Sequence, residues 1–146
     1  MNQTKRLEIL LVEDNPGDIR LTREAFKQTN IRNNLSIATD GEMAMEFLLR
    51  KNEFANAPEP SIILLDLNLP KKDGRQVLNE IKQNVQLKKI PVIILSTSEN
   101  DHDISNSYEN HANCYLTKPI DFDSFTKVIR QMQNFWLSLV KLPSTL

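Results

Sequence analysis

The sequence predicts an α/β fold, a doubly wound five-stranded parallel sheet built from five βα repeats. The segments EILLV (8–12), IILL (62–65) and VIILS (92–96) are continuously apolar rather than alternating, the pattern of strands covered on both faces. Helical patterns of about ten to fifteen residues fill the gaps between them. The chain has 146 residues, enough for one domain that buries roughly 68–70% of the surface its unfolded form exposes.

The elements follow in order. After the first strand, Asn15 is a good N-cap, Pro16 suits the first helical position, and Asp18 favours the positive end of helix one. Leu21, Ala25 and Gln28 are the expected inward side of that helix, which leaves Ile19 outward. A second strand is expected at LSIAT (35–39), followed by a helix in TDGEMAMEFLLRK. KNEFANAPEP (51–60) reads as a long loop before the third strand, and DGRQVLNEIKQ as the third helix. The fourth helix is expected near Glu99–Glu109 and the fifth strand at NCYLT (113–117). The fifth helix opens near Asp121, with Phe122, Phe125, Val128, Ile129 and Met132 on one stripe.

Composition excludes several function classes. With 18 Lys+Arg against 19 Asp+Glu and a formal net charge of -1, nothing suggests an electrostatic footprint for nucleic acid or an anionic membrane. The apolar runs are short, and MNQTKR lacks the apolar stretch of a signal peptide. The single cysteine, Cys114, has no partner for an intrachain disulfide or a thiolate metal site. His102 and His111 lack metal-ligand spacing and read as surface residues. A cytoplasmic protein is expected.

In open α/β sheets ligands bind beyond the carboxyl ends of the strands. Strand one ends in Glu13 and Asp14, strand three in Asp66, strand four in Ser96, Thr97 and Ser98, and strand five in Lys118 and Pro119. Two carboxylates about 4 Å apart repel by roughly 4 kcal/mol at an effective dielectric near 20, so three acids gathered there call for a cation. Glu13, Asp14 and Asp66 carry three negative charges and Lys118 one positive, a deficit that one Mg²⁺ neutralises. All-oxygen ligation suits Mg²⁺, and the backbone carbonyl of Asn68 is a further candidate ligand.

LLVEDNPGD, ILLDLNLPKKDG, PVIILSTS and CYLTKP together resemble the four signature segments of the receiver domain of two-component response regulators. The resemblance covers about residues 7–135 and implies the flavodoxin-like strand order 2-1-3-4-5. It implies that a histidine kinase phosphorylates Asp66, that Glu13 and Asp14 hold Mg²⁺, that Ser96 contacts the phosphoryl group and that Lys118 pairs with it. Tyr115 falls at the place of the family's switch aromatic. By the same resemblance the domain is a phosphoacceptor that promotes its own phosphorylation and slow dephosphorylation, rather than an enzyme acting on other molecules. The chain departs from the usual pattern at Thr97, where Ala or Gly is common, in HANCYL, which lacks a glycine often found before strand five, and in the long stretch before strand three. With EDNPGDIRLTREAF and NFWLSLVKLP, these features resemble the small stand-alone regulators paired with phytochrome-type histidine kinases.

Three rival readings remain at this point. A haloacid-dehalogenase-type phosphatase also uses an Asp nucleophile and Mg²⁺, but it carries a second Asp where this chain has Asn68. A flavodoxin-like FMN protein places phosphate after strand one, where Glu13 and Asp14 would repel it. A degenerate receiver would serve only as an interaction module.

The expected organisation is a single receiver domain over 1–146, with a carboxyl-terminal helix extension and tail over 136–146 and no output domain. Output would then pass to a downstream target or a phosphotransfer protein. Asn15, Pro16 and Ile19, near Pro119 and Ile120, form the expected partner rim. Phe135, Trp136, Leu137, Leu139 and Val140 are more apolar than one helical stripe can direct inward. A homodimer through that segment is therefore expected.

Overall fold

The computed structural model describes residues 6–28, 32–97, 112 and 114–118, together with the helical positions 104, 123, 127 and 130. Five parallel strands, β1 (Leu7–Val12), β2 (Asn33–Ala38), β3 (Ile62–Asp66), β4 (Val92–Ser96) and β5 (Cys114–Thr117), form one sheet in the order β2-β1-β3-β4-β5. The α/β class and the predicted strand order hold. The described helices are α1 (Pro16–Lys27), α2 (Gly41–Leu49) and α3 (Gly74–Gln83).

The continuous apolar runs have a direct explanation. Successive strand residues point to opposite faces, so Ile63 and Leu65 join the core beneath α2 and α3, whereas Ile62 and Leu64 join the core beneath α1. Both faces of β3 and β4 are buried, and every residue of those two strands is inaccessible or nearly so. Each helix opens on a side-chain cap. Asn15 Oδ1 accepts from the Asp18 amide at 2.9 Å, Asp40 Oδ1 from Met43 at 2.7 Å, and Asp73 Oδ2 from Arg75 at 3.0 Å.

Three local expectations need correction. Strand β2 starts at Asn33, not Leu35, because β1 pairs from Leu7 and the register sets Leu7 opposite Asn33. Helix α1 buries Thr22, Ala25 and Phe26 while Gln28 is exposed. The larger Phe26 takes the core, and Ile19 is half-buried against that same layer rather than standing outward. The loop before β3 contains a 3₁₀ turn at Asn52–Phe54. Its Phe54 ring lies 5.6 Å from Phe47 and anchors the loop to the core.

Position 104 is helical, in keeping with the fourth helix, and the helical positions Asp123, Lys127 and Arg130 are exposed. These three fall on the polar side of the predicted fifth helix. Its apolar stripe, His102 and His111, and the segment from Phe135 through Val140 lie outside the described residues. Among the described residues no helix is long and apolar enough to cross a membrane.

Candidate functional site

The parallel register brings the carboxyl ends of β1, β3, β4 and β5 to one edge of the sheet. Glu13 and Asp14 follow β1, Asp66 ends β3, Ser96 ends β4 and Lys118 follows β5. Glu13 is 1% exposed, Asp66 is buried, Ser96 is fully buried, and Asp14 faces solvent. One carboxylate oxygen from each of Glu13, Asp14 and Asp66 lies within 4.8 Å of the others.

Lys118 closes the group. Its Nζ donates to Glu13 Oε1 at 2.5 Å, to Asp18 Oδ2 at 2.8 Å and to Asp66 Oδ2 at 3.3 Å. The lysine backbone is fixed as well, since its amide donates to the Ser96 carbonyl at 2.6 Å. The remaining oxygens of the two buried acids bond locally. Glu13 Oε2 accepts from the Asn15 amide at 3.2 Å, and Asp66 Oδ1 from the Asn68 amide at 3.0 Å.

Burial pushes the Glu13 carboxyl up to about 7, with the nearby Asp66 adding to the rise and Lys118 opposing it. Burial disfavours the Lys118 ammonium, but its hydrogen bonds to Asp18 and Glu13 and the charges of Glu13 and Asp66 outweigh that cost. Its pKa stands above the usual lysine range. One ammonium is insufficient for the three clustered acids and Asp18, so the donor set fits a hard divalent cation with oxygen ligands.

The loop carrying Asp66 is clamped by two glycines. The Gly74 amide donates to the Leu67 carbonyl at 2.9 Å, and a Cβ on Gly74 would collide with the Asp66 carbonyl and the Leu67 backbone. A Cβ on Gly41 would collide with the Lys72 carbonyl. Asp40, the α2 cap, also reaches Lys71 at 3.7 Å.

The structure therefore brings together Glu13, Asp14, Asp66 and Lys118, with Ser96 at the adjacent strand end. Thr97 is exposed beside them, and Tyr115 is half-buried against the core on the α2–α3 side, opposite Ile94 of β4. Asn15 and Pro16 are exposed at the rim, and Asn68 is exposed in the loop after β3. Pro119 and Ile120 lie outside the described residues. Asp18 is the site residue that sequence reasoning missed. It reads there as an ordinary acid in the first turn of a helix, and only its place in EDNPGD beside the acid pair hinted at more.

A response regulator receiver domain model matches residues 9–130. The chain is 52% identical over 136 residues to the response regulator Rcp1 of a Synechocystis species, spanning 93% of this chain and 92% of that protein. It is 38% identical over 135 residues to a probable methanogenesis regulatory protein, FilR2, of Methanothrix harundinacea, spanning 92% of this chain and 86% of the other. Among solved structures, the phosphorylated cyanobacterial phytochrome response regulator RcpA superposes with a TM-score of 0.87 at 47% identity, over 95% of this chain and 99% of that one. The Mn(2+)-bound form of Rcp1 gives a TM-score of 0.84 at 52% identity, over 93% and 98% of the two chains. With Asp66 at the end of β3, acids after β1 and a lysine after β5 converging on one edge, the chain belongs to the response regulator receiver family.

Proposed function

We propose that this receiver accepts a phosphoryl group on Asp66 from a phosphohistidine of a phytochrome-type histidine kinase and so switches a protein-interaction surface. One observation carries the reading: at the carboxyl end of β3 the Asp66 carboxylate has an oxygen within 4.8 Å of oxygens of both Glu13 and Asp14 and lies 3.3 Å from the Lys118 ammonium. A carboxylate oxygen of Asp66 attacks phosphorus, a P–O bond forms, and the P–N bond to the kinase histidine breaks. The imidazole leaves with the bonding pair and takes a proton from solvent. Lys118 offsets the negative charge that accumulates.

Glu13, Asp14 and Asp66, with the Asn68 carbonyl, would hold Mg²⁺, which when bound supplies charge neutralisation at the acidic edge. The likeness to RcpA, a phytochrome response regulator, supports the choice of kinase class. Buried Ser96 and half-buried Tyr115 are the proposed switch pair, and the Ser96 hydroxyl would turn to the new phosphoryl oxygens. We place the chain in the cytoplasm as a single receiver domain that acts through a downstream protein and pairs through its carboxyl-terminal segment.

Incubation with Mg²⁺ and acetyl phosphate, followed by intact-mass measurement, tests the core of this reading. The expected result is a gain of one phosphoryl group that disappears with chelator or with Asp66→Asn. Labelling that persists in Asp66→Asn overturns the site.

A further inference from the structure

We infer that Asp18 is a positioning residue that keeps the Lys118 ammonium at the phosphoryl site when a divalent metal occupies the acidic group, an inference that rests on the function proposed above. An ammonium has three N–H donors, and Lys118 Nζ directs them to Glu13, Asp18 and Asp66. Two of those partners have competing duties. Glu13 and Asp66 belong to the carboxylate set that would ligate a metal, and each already uses its other oxygen to accept a backbone amide. A metal held there would engage both acids and repel the ammonium.

Among the described residues, Asp18 is the partner of Lys118 outside that carboxylate set. It is also held in place. Its amide donates to Asn15 Oδ1 at 2.9 Å, its carbonyl accepts from Thr22 Oγ1 at 2.9 Å, and the positive end of α1 favours a carboxylate there. The 2.8 Å bond from Lys118 to Asp18 therefore survives metal loading while the other two weaken. Lys118 remains within reach of phosphoryl oxygens because α1 supplies this counter-ion.

The bland reading is that Asp18 only complements the helix end. The two readings differ in a measurement on Lys118 itself, made by NMR as the hydrogen-exchange rate of its ammonium in wild type, Asp18→Asn and Asp18→Glu, each with and without Mg²⁺. The expected result is faster exchange in Asp18→Asn by about fivefold with Mg²⁺ and less without it, partly restored by Asp18→Glu. Mg²⁺ affinity should remain near wild type, since Asp18 is not a ligand. Acetyl phosphate labelling of Asp18→Asn at saturating Mg²⁺ should slow by a similar factor.

Lys118 exchange that is the same in Asp18→Asn and wild type with Mg²⁺ bound overturns the inference. A wild type that takes no phosphoryl group while Asp18→Asn still loosens Lys118 overturns the phosphoacceptor reading and supports the anchoring role of Asp18.

Discussion

The ammonium of Lys118 lies 3.3 Å from Oδ2 of Asp66, although 52 residues separate the two in the chain. The lysine side chain is 11% exposed and its carboxylate partner 9%, so the pair sits largely out of water. Removing one member of a buried ion pair leaves the other without compensation.

Lys118→Met should therefore destabilise the metal-free protein by about 3 kcal/mol. Mg²⁺ should recover much of that loss, because it replaces the missing positive charge. Urea unfolding with and without Mg²⁺ checks this. An equal loss in both conditions would mean that the lysine acts by packing alone. Phosphorylated Lys118→Ala should also show a reduced amide-shift response around Ser96 and Tyr115.

Gly74→Ala should cost about 1–3 kcal/mol, as overpacking does, and should weaken Mg²⁺ binding, because the new Cβ meets the carbonyl of Asp66 itself. Gly41→Ala displaces Lys72, farther along the same loop, so its effect on Mg²⁺ binding should be smaller at comparable instability. Titration calorimetry beside thermal melts separates the two effects. Identical Mg²⁺ affinities in both variants and wild type would refute the clamp.

Lys82 gives a pH test away from the site. Its Nζ donates to the carbonyls of Lys88 at 3.0 Å and Ile90 at 2.6 Å, and burial lowers its pKa from 10.5 to about 8. Between those values the unfolded chain binds the proton that the folded chain releases, so stability rises with pH. The contribution is present above 10.5 and lost as pH falls through 8. Relative to Lys82→Met, wild type should gain stability from pH 8 to pH 10 in denaturant midpoints. A constant difference across that range would contradict the shift.

The carboxyl-terminal segment offers a test of association. Sedimentation of the full chain and of a chain ending at Asn134 should show a dimer only for the full chain. A full chain that stays monomeric at tens of micromolar, with and without phosphodonor, removes that expectation.

Sequence reading worked where one element held the whole signal. The buried strands β3 and β4 were legible because burial on both faces makes them uniformly apolar. The acids were legible because they end such apolar runs, whereas the lysine follows the half-buried strand β5 and was legible through the CYLTKP segment. Asp18 was not, since its partner lies 100 residues away and a first-turn acid is ordinary by itself. Nor was the inward face of α1, where apolar Phe26 is buried and polar Gln28, the carboxyl-terminal cap, is exposed. Arg50 and Lys71 adopt left-handed backbone, with φ of 56° and 66°. Neither is a glycine, so no residue type announced those turns.

The double burial of β3 also bears on how the sheet finds its alignment. A strand that is polar on one face resists slipping by one residue, because the slip would bury its polar side chains. Apolar on both faces, Ile62–Leu65 lacks that safeguard, and a slip would merely exchange the two cores. What resists it is the charge at the strand's end. Retreating β3 by one residue would draw the Asp66 carboxylate away from Lys118 into the apolar sheet, and advancing it by one would push Leu65 to the wet edge. The carboxylate at the strand's end thus also sets the alignment of β3 in the sheet.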